Sequence, residues 1–424
     1  MTVRDLFAGP GGWSYALAVL GVRDVGLEWD EWACQTRAAA GPLTIRTDVA
    51  QYPVWPFLGK TVGLIASPPC QAWSMPGKRL GLIDQPPVHQ AVADLAQGRD
   101  TREHMLVSCR DERSLLAAEP MRYLHALNQH GEPEWVAMEE VPAVLPLWRQ
   151  YMQVLRTWGF SAWTGVLNAA DFGMPQTRQR AILLASRTRT AAPPPPTHAR
   201  VAEPESLFGP GRARWVSMAE ALGWGATDRL VPTVCAGGGP GGGPEPFPSG
   251  SRKTLTDARA RGTWTPRPGS IALPSRREAP GWAEQPGTGE NRPIGAPAPT
   301  FTREAHRWSW SLRSNNQAHA TIRRADEPAG TLFFGHRANE CVWVAEPAPG
   351  GPDEERPAPE SIRITAQEAG VLQTFPAEYP WAGNKSQQFS QIGNAVPPRL
   401  AAHLLAPLLG KALPLTPDDF TLAA

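Results

Sequence analysis

A cysteine that follows two prolines is the residue of this sequence best suited to nucleophilic chemistry. The apolar run Thr61–Ala66 predicts a buried strand. Pro68 and Pro69 end that strand, because proline donates no hydrogen bond to a ladder. Cys70 is therefore predicted to lie at a strand tip in a stiff turn, where a thiolate could attack an electron-poor carbon. The structural alternative, a buried cysteine beside a loop, is the more common case for a single Cys.

Three further side chains could act with Cys70 on a heteroaromatic ring. They are Glu139, Arg178 and Arg180. Addition of a thiolate to a pyrimidine needs a carboxylic acid at the ring nitrogen and a cation at the carbonyl oxygen. The structural alternatives are a carboxylate at a helix N-terminus and arginines along a solvated strand edge. These residue types indicate chemistry on a pyrimidine.

The turn at residues 9–12 has the composition of a nucleotide-binding loop. Its glycines would let the backbone approach a ligand closely, and Glu28, about 20 positions further on, could accept hydrogen bonds from ribose hydroxyls. Pro10 and the lack of a third spaced glycine favour a smaller adenosine ligand over a dinucleotide. Trp29 could stack on an adenine. A plain tight turn and core packing of the tryptophan are the structural alternatives.

Reactive and acidic residues recur where the predicted strands end. Residues 1–186 alternate short apolar runs with helical patterns, which predicts an α/β fold with a doubly wound, mostly parallel sheet. Glu28, Asp48, Cys70 and Glu139 each follow one of these strands. Because ligands bind at the carboxyl edge of such sheets, one shared crevice is expected. The predicted strands are residues 3–7, 25–27, 43–46, 61–66, 134–138, 162–167 and 180–185.

The segment at residues 75–104 separates two of these strands. It is polar and contains several glycines and prolines, with only a weak helical pattern at residues 88–96. Long segments of this kind beside a reactive residue are more often lids than packing elements. We therefore expect this segment to be mobile and to close over the substrate.

Composition changes near residue 190 and changes back near residue 361. Residues 187–360 are rich in turn-forming residues and predict a smaller, irregular β-rich domain. Residues 187–340 carry 20 Arg and Lys against 13 Asp and Glu, an excess that favours a nucleic-acid partner, although the abundance of arginine could also reflect codon bias. Residues 361–424 regain helical patterning and are expected to complete the first domain.

Length and cysteine usage limit the class of protein. The 424 residues are enough for two domains. Five scattered cysteines indicate neither a disulfide framework nor a zinc site, and this pattern suits a reducing cytosol. The sequence contains no apolar run near the roughly 18 residues of a membrane span, and we expect no signal peptide.

Taken together, five motifs give the sequence a family resemblance. They lie at residues 5–12, 67–74, 139–141, 176–180 and 391–397. In this order they are similar to the cofactor loop, the Pro-Cys-Gln nucleophile motif, the Glu-Asn-Val motif, the Gln-x-Arg-x-Arg motif and the closing Gln-x-Gly-Asn-Ala-Val-Pro motif of the cytosine-C5 DNA methyltransferases. The chain thus resembles this family, in its bacterial restriction-modification form. One departure is Glu140, where the family usually has asparagine.

The resemblance implies a Rossmann-like methyltransferase domain and a reaction. Cys70 would add to C6 of a cytosine flipped out of the duplex, with Glu139 at N3 and Arg180 at O2, and Arg178 would be a further catalytic residue. It also implies S-adenosylmethionine as cofactor and no metal. The implied cofactor-binding residues are Phe7, Ala8, Gly9, Pro10, Gly11, Gly12, Glu28, Trp29, Asp48, Val49, Pro69, Asn394 and Ala395.

The resemblance further implies double-stranded DNA as partner. Residues 1–186 and 361–424 would form the catalytic domain, and residues 187–360 would recognise the target sequence. We expect a cytoplasmic, nucleoid-associated monomer that does not need a restriction endonuclease bound to it. An RNA cytosine-C5 methyltransferase and a catalytically silent DNA-binding homologue are the alternatives, and without the resemblance a nicotinamide-dependent oxidoreductase would be a further one.

Overall fold

The computed structural model describes most of the chain outside its middle third. The described residues are 2–73, 80–207, 209–222, 282–284, 291–293, 308–313, 322–324, 327–330, 342–347, 361–363 and 365–413. Those up to Trp215 and from Ala369 onward form one compact unit. The described residues from Val216 to Glu368 form a second.

A seven-stranded sheet is the frame of the first unit. The spatial order of its strands is β3-β2-β1-β4-β5-β7-β6. The strands from β1 to β5 pair in parallel with their neighbours, whereas β7 runs antiparallel to both β5 and β6. The strands are β1 (Thr2–Leu6), β2 (Asp24–Glu28), β3 (Leu43–Arg46), β4 (Thr61–Ala66), β5 (Trp135–Glu140), β6 (Ser161–Asn168) and β7 (Gln179–Ser186).

Helices follow most of these strands. Asp30 caps the second helix, and its Oδ1 accepts a hydrogen bond from the Ala33 amide at 2.8 Å. Short 3₁₀ helices lie at Trp55–Phe57, Cys70–Ala72, Glu112–Ala118, Pro142–Val144 and Ala169–Phe172. The described α-helices are α1 (Gly12–Val19), α2 (Glu31–Ala40), α3 (Leu80–Ile83), α4 (Gln85–Leu95), α5 (Arg102–Ser108), α6 (Glu119–Asn128), α7 (Leu145–Thr157), α8 (Met218–Ala221), α9 (Ala366–Leu372), α10 (Lys385–Asn394) and α11 (Pro398–Leu409).

Both faces of the sheet are buried under helices. Leu64 and Val136 belong to a core cluster that includes residues of α4, α6 and α7. Ile65 and Ala137, the next residues of β4 and β5, point to the opposite face because strand side chains alternate, and they too are fully buried. On that face α11 contacts α1, β5 and β7. The predicted α/β class, a doubly wound and mostly parallel sheet, is confirmed.

The prediction of a mobile lid at residues 75–104 is wrong for α4. Val88, Ala91, Val92 and Leu95 are buried in the core cluster, and their spacing is that of one helix face. The prolines that suggested a loop lie in the first turn of α4, where a missing amide hydrogen costs no helical hydrogen bond. Residues 74–79 lie outside the described residues.

The segment from Ala369 onward returns to the sheet. The Thr36 hydroxyl donates to Gln391 Oε1 at 2.6 Å, and the Tyr379 hydroxyl donates to the Pro10 carbonyl at 2.6 Å. Gly12 is in such close contact that a Cβ placed on it would lie 1.9 Å from the Val396 carbonyl oxygen. Any larger residue at position 12 would therefore push this segment away from α1.

Short strands dominate the described part of the second unit. Four of them form an antiparallel sheet in the order β13-β12-β14-β15, and β10 pairs with β11. The β-rich domain predicted for residues 187–360 stays a prediction, because most of residues 223–360 lies outside the described residues. The strands described in the second unit are β10 (Trp282–Glu284), β11 (Asn291–Pro293), β12 (Trp308–Arg313), β13 (Ile322–Arg324), β14 (Val342–Pro347) and β15 (Ser361–Arg363).

Two further short strands, β8 (His198–Ala199) and β9 (Ala213–Arg214), belong to the first unit. None of the described helices is both long enough and apolar enough to cross a bilayer.

A buried arginine ties the first strands to the first two helices. The Arg37 guanidinium is fully buried and contacts Asp24 Oδ2 at 3.0 Å and Ser14 Oγ at 2.7 Å. Its Nη1 lies 3.7 Å from Asp5 Oδ2, and its Nε donates to Thr44 Oγ1 at 3.0 Å. Burial raises the pKa of Asp5 well above its usual range, and Arg37 acts against that rise.

We predict that Arg37→Met lowers the free energy of unfolding by about 3–5 kcal/mol, because Asp24 is then left as an uncompensated buried charge. Urea denaturation followed by tryptophan fluorescence measures the change. The matched control is Arg46→Met, whose ion pair with Glu31 is exposed and should contribute less than about 1 kcal/mol. Equal losses in the two variants would show that the buried network does not hold these elements together.

Candidate active site

Cys70 lies just beyond the carboxyl end of β4, as predicted. It begins the 3₁₀ helix Cys70–Ala72, and the preceding Pro69 has an extended conformation. Ala72 and Trp73 are buried and anchor the turn in the core, while the Cys70 side chain is half-buried. Its Sγ lies 4.0 Å from the Asn394 side-chain oxygen. The turn thus holds the thiol at the sheet edge, partly buried against the core cluster.

Glu139 and Arg180 meet at the same edge. β5 ends two residues later than predicted, so Glu139 lies within it, and Arg180 is the second residue of the antiparallel β7. Both side chains are buried, and the distance from Arg180 Nε to Glu139 Oε1 is 2.8 Å. The direction of β7 therefore brings an arginine to the carboxyl end of β5, as the chemistry of the pair requires.

Arg178 has a different set of partners. Its guanidinium is buried and donates to the Gly393 carbonyl at 3.0 Å and the Ala395 carbonyl at 3.2 Å. Burial, with a smaller effect from the positive charge of Arg180, lowers the pKa of Arg178 to about 9. Arg178 therefore connects the residues before β7 to the closing motif, and its contacts are those of a positioning residue.

The surroundings of the thiol favour its protonated form in the free protein. Burial, with a smaller effect from the negative charge of Glu140, raises the pKa of Cys70 to about 12, although Arg180 and Arg178 act in the opposite direction. Formation of the thiolate therefore depends on how the two acidic and two basic groups of this pocket are paired.

The predicted cofactor loop leaves open space on one side. Gly9 has a φ of +53°, and a Cβ placed on it would meet nothing within 4 Å. Glu28 holds this turn, because its carboxylate accepts hydrogen bonds from the amides of Gly9, Trp29 and Asp30 at 2.7–2.8 Å. A carboxylate has about four acceptor positions, so one remains for a ligand hydroxyl. The Trp29 ring is 71% exposed beside it. This arrangement fits an adenosine ligand.

Other predicted cofactor residues are occupied by protein contacts. Pro10, Gly11 and Gly12 are buried, and Pro10 and Gly12 contact the returning segment as described above. The Val49 carbonyl accepts hydrogen bonds from Arg122 and Tyr123. Their roles in binding a cofactor stay predictions, as does that of Phe7, Ala8, Asp48, Pro69, Asn394 and Ala395.

Sequence reasoning did not find the contacts that lock these motifs together. Trp13 of α1 donates its indole hydrogen to Ser67 Oγ at 2.9 Å, which joins the glycine turn to the cysteine turn. The glycine at position 12 was assigned to ligand approach, whereas the group that approaches it is the Val396 carbonyl. The paired glycines before α1 are the signal that could have indicated close packing.

The chain is similar to several known methyltransferases. The chain is 23% identical over 430 residues to the Type II methyltransferase M.DdeI of Desulfomicrobium norvegicum, with 95% of this chain and 87% of that protein covered. It is 24% identical over 431 residues to the Type II methyltransferase M.AplI of Arthrospira platensis, with 99% and 87% covered. Among solved structures, the S. pombe Dnmt2 methyltransferase is similar, with a TM-score of 0.48, 13% identity, and 97% of this chain and 98% of that chain covered.

A protein-family model spans most of the sequence. The model for C-5 cytosine-specific DNA methylase matches residues 1–87, 108–211 and 297–409. These ranges contain Cys70, Glu139, Arg180 and the closing motif. The chain belongs to the C-5 cytosine-specific DNA methylase family.

Proposed function

We propose that this methyltransferase acts on a cytosine flipped out of a specific double-stranded DNA sequence, through a covalent bond between Cys70 and C6 of the base. The proposal rests on one observation: a nucleophile, an acid and a cation lie together at one edge of the sheet. Cys70 lies at the end of β4, and Glu139 and Arg180 form an ion pair at 2.8 Å beside it. These are the groups that thiolate addition to a pyrimidine needs.

Entry of the base changes the pairing of these groups. Arg180 leaves Glu139 to hold the cytosine O2, and Glu139 faces the ring nitrogen N3. Glu139 donates a proton to N3, and the Cys70 sulfur, having given up its own proton to water, bonds to C6. The added electron density makes C5 nucleophilic, and C5 receives the methyl group, whose bond to the cofactor breaks. Loss of the C5 proton to water, departure of the Cys70 thiolate from C6 and return of the N3 proton to Glu139 restore the aromatic ring.

The cofactor that fits the open side of the glycine turn is S-adenosylmethionine. When bound, it supplies the electrophilic methyl group. Glu28 would accept a hydrogen bond from a ribose hydroxyl, and Trp29 would stack on the adenine. The space beside Gly9 would take the part of the ligand closest to the backbone.

Recognition of the target DNA sequence is assigned to the middle of the protein chain. In this proposal residues 187–360 recognise DNA, and residues 1–186 and 361–424 form the catalytic domain. The basic excess of residues 187–340 supports a polyanionic partner. The enzyme would act as a cytoplasmic monomer at the nucleoid, with no restriction endonuclease bound to it.

We predict that DNA carrying 5-fluorocytosine at the target becomes covalently attached to the enzyme. Fluorine cannot leave C5 as a cation, so Cys70 cannot depart after methyl transfer. The adduct is measured as a shifted band in a denaturing gel. Cys70→Ala should form no adduct and should lower methyl incorporation into normal DNA by more than about 10³-fold.

The control variant is Cys34→Ala, which removes another half-buried thiol. Methyl transfer at the normal rate by Cys70→Ala would contradict the mechanism. Transfer to RNA but not to duplex DNA would reassign the substrate. Binding of cofactor and DNA by the wild type without methyl incorporation would identify a silent homologue.

We predict that Trp29→Ala weakens binding of S-adenosylmethionine by about tenfold, the loss of one stacking contact. Isothermal titration calorimetry without DNA measures the affinity. Trp55→Ala removes a tryptophan that is equally exposed, at 72%, and lies in the 3₁₀ helix before β4, so its affinity should match the wild type. An unchanged affinity for Trp29→Ala would place the adenine elsewhere.

A further inference from the structure

Glu140 is a buried carboxyl group that the proposed reaction does not use. It is the last residue of β5 and is 1% exposed. Its Oε2 accepts a hydrogen bond from the Val141 amide, and its Oε1 has no hydrogen-bond partner among the described residues. One of its two oxygens is therefore buried with no described group to stabilise a negative charge on it.

The charged groups around Glu140 are engaged with other partners. Arg180 is paired with Glu139 at 2.8 Å. Arg178 directs Nη1 and Nη2 at the carbonyls of Gly393 and Ala395. Within the described part of the chain, no cation lies within ion-pair distance of Glu140. The pocket thus contains one paired carboxylate and one that has no counter-ion.

Such a carboxyl group is stable only in its neutral form. An isolated charge in a dry interior is costly, and a buried acid avoids the cost by keeping its proton. Burial raises the pKa of Glu140 well above its usual range, and the neighbouring Glu139 raises it further. The Val141 amide, Arg180 and Arg178 act against the rise but are smaller effects.

We propose that Glu140 keeps its proton in the resting enzyme, so that the pocket around Cys70 holds a neutral carboxyl group in place of an unpaired carboxylate. A protonated carboxyl offers one acceptor and one donor, as the amide of an asparagine does, whereas a carboxylate offers acceptors alone. Because Oε2 already accepts from Val141, the proton lies on Oε1. The proposal deepens the proposed function, since it concerns how the nucleophile of that reaction is formed.

The protonation state of Glu140 affects how readily the Cys70 thiolate forms. While Glu140 is neutral, the thiolate meets the positive charges of Arg178 and Arg180 and the paired carboxylate of Glu139. Once Glu140 loses its proton, a second negative charge opposes the thiolate, and the two groups titrate as a coupled pair. Glu140 is thus a positioning residue. While it keeps its proton, it adds no negative charge that would oppose formation of the Cys70 thiolate.

The test is the rate at which iodoacetamide alkylates Cys70 in the free full-length enzyme between pH 5.5 and pH 10. Mass spectrometry of the Cys70 peptide separates this thiol from the other four. The wild type is compared with Glu140→Gln, which fixes the side chain in a neutral state. The two rates should coincide at low pH and separate above the pKa of Glu140. The Gln variant should react about tenfold faster at the alkaline end, since a like charge shifts a neighbouring pKa by about one unit or more.

The matched control is Glu134→Gln, which makes the same change at the exposed residue just before the other end of β5 and should follow the wild type. A constant ratio above one across all pH values would show that Glu140 is ionised throughout and would overturn the proposal. Coincidence at every pH would also overturn it, because Glu140 would not then influence the thiol.

A second measurement covers failure of the Gln variant to fold, which its melting curve would reveal. The wild-type rate should rise with pH, level off above the pKa of Glu140 and rise again, whereas a thiol with no titrating neighbour would show a single rise. A single rise would overturn the proposal. Alkylation uses neither DNA nor cofactor, so a failure of the proposed methyl transfer would be seen separately, in the 5-fluorocytosine experiment.

Discussion

The site depends on the antiparallel pairing of β7 with β5. Six of the seven strands run in one direction, so their carboxyl ends reach a common edge with Cys70 and Glu139, and β7 alone runs the other way. A strand that starts at that edge brings its own first residues there. Because β7 is antiparallel, it starts at this edge, and Arg180 is its second residue. The pairing of Glu140 with Ala181 fixes this register. A parallel β7 would have left Arg180 at the far end of the sheet, about 20 Å away.

Two arginines of one short motif carry different tasks because their partners differ. Arg180 faces a carboxylate, and an ion pair of this kind can exchange one partner for a ligand. Arg178 faces two main-chain carbonyls, which are fixed in space. Arg180 is therefore suited to binding a substrate reversibly, and Arg178 to holding the closing motif in place beside the pocket. Both arginines are therefore engaged with partners other than Glu140, which is consistent with a neutral Glu140.

Local features of the fold were predictable from the sequence, and distant contacts were not. The strands Leu43–Arg46 and Thr61–Ala66 and the Asp30 cap agree with the pattern because each depends on adjacent residues. The lid prediction failed because the prolines of α4 were taken as loop signals although they lie in a first helical turn. The Gly12 contact with Val396 could not be predicted, since no local pattern records a neighbour almost four hundred positions away.

That separation has a consequence for how the enzyme is made in the cell. The hydrogen bond between Thr36 and Gln391 closes a loop of 355 residues, and such long loops close late in folding. Cys70 leaves the ribosome before the carbonyls of Gly393 and Ala395 that hold Arg178. A nascent or prematurely terminated chain therefore contains the Cys70 thiol without the carbonyls of Gly393 and Ala395 that hold Arg178. Methylation of DNA by this enzyme then requires that the closing motif has been synthesised.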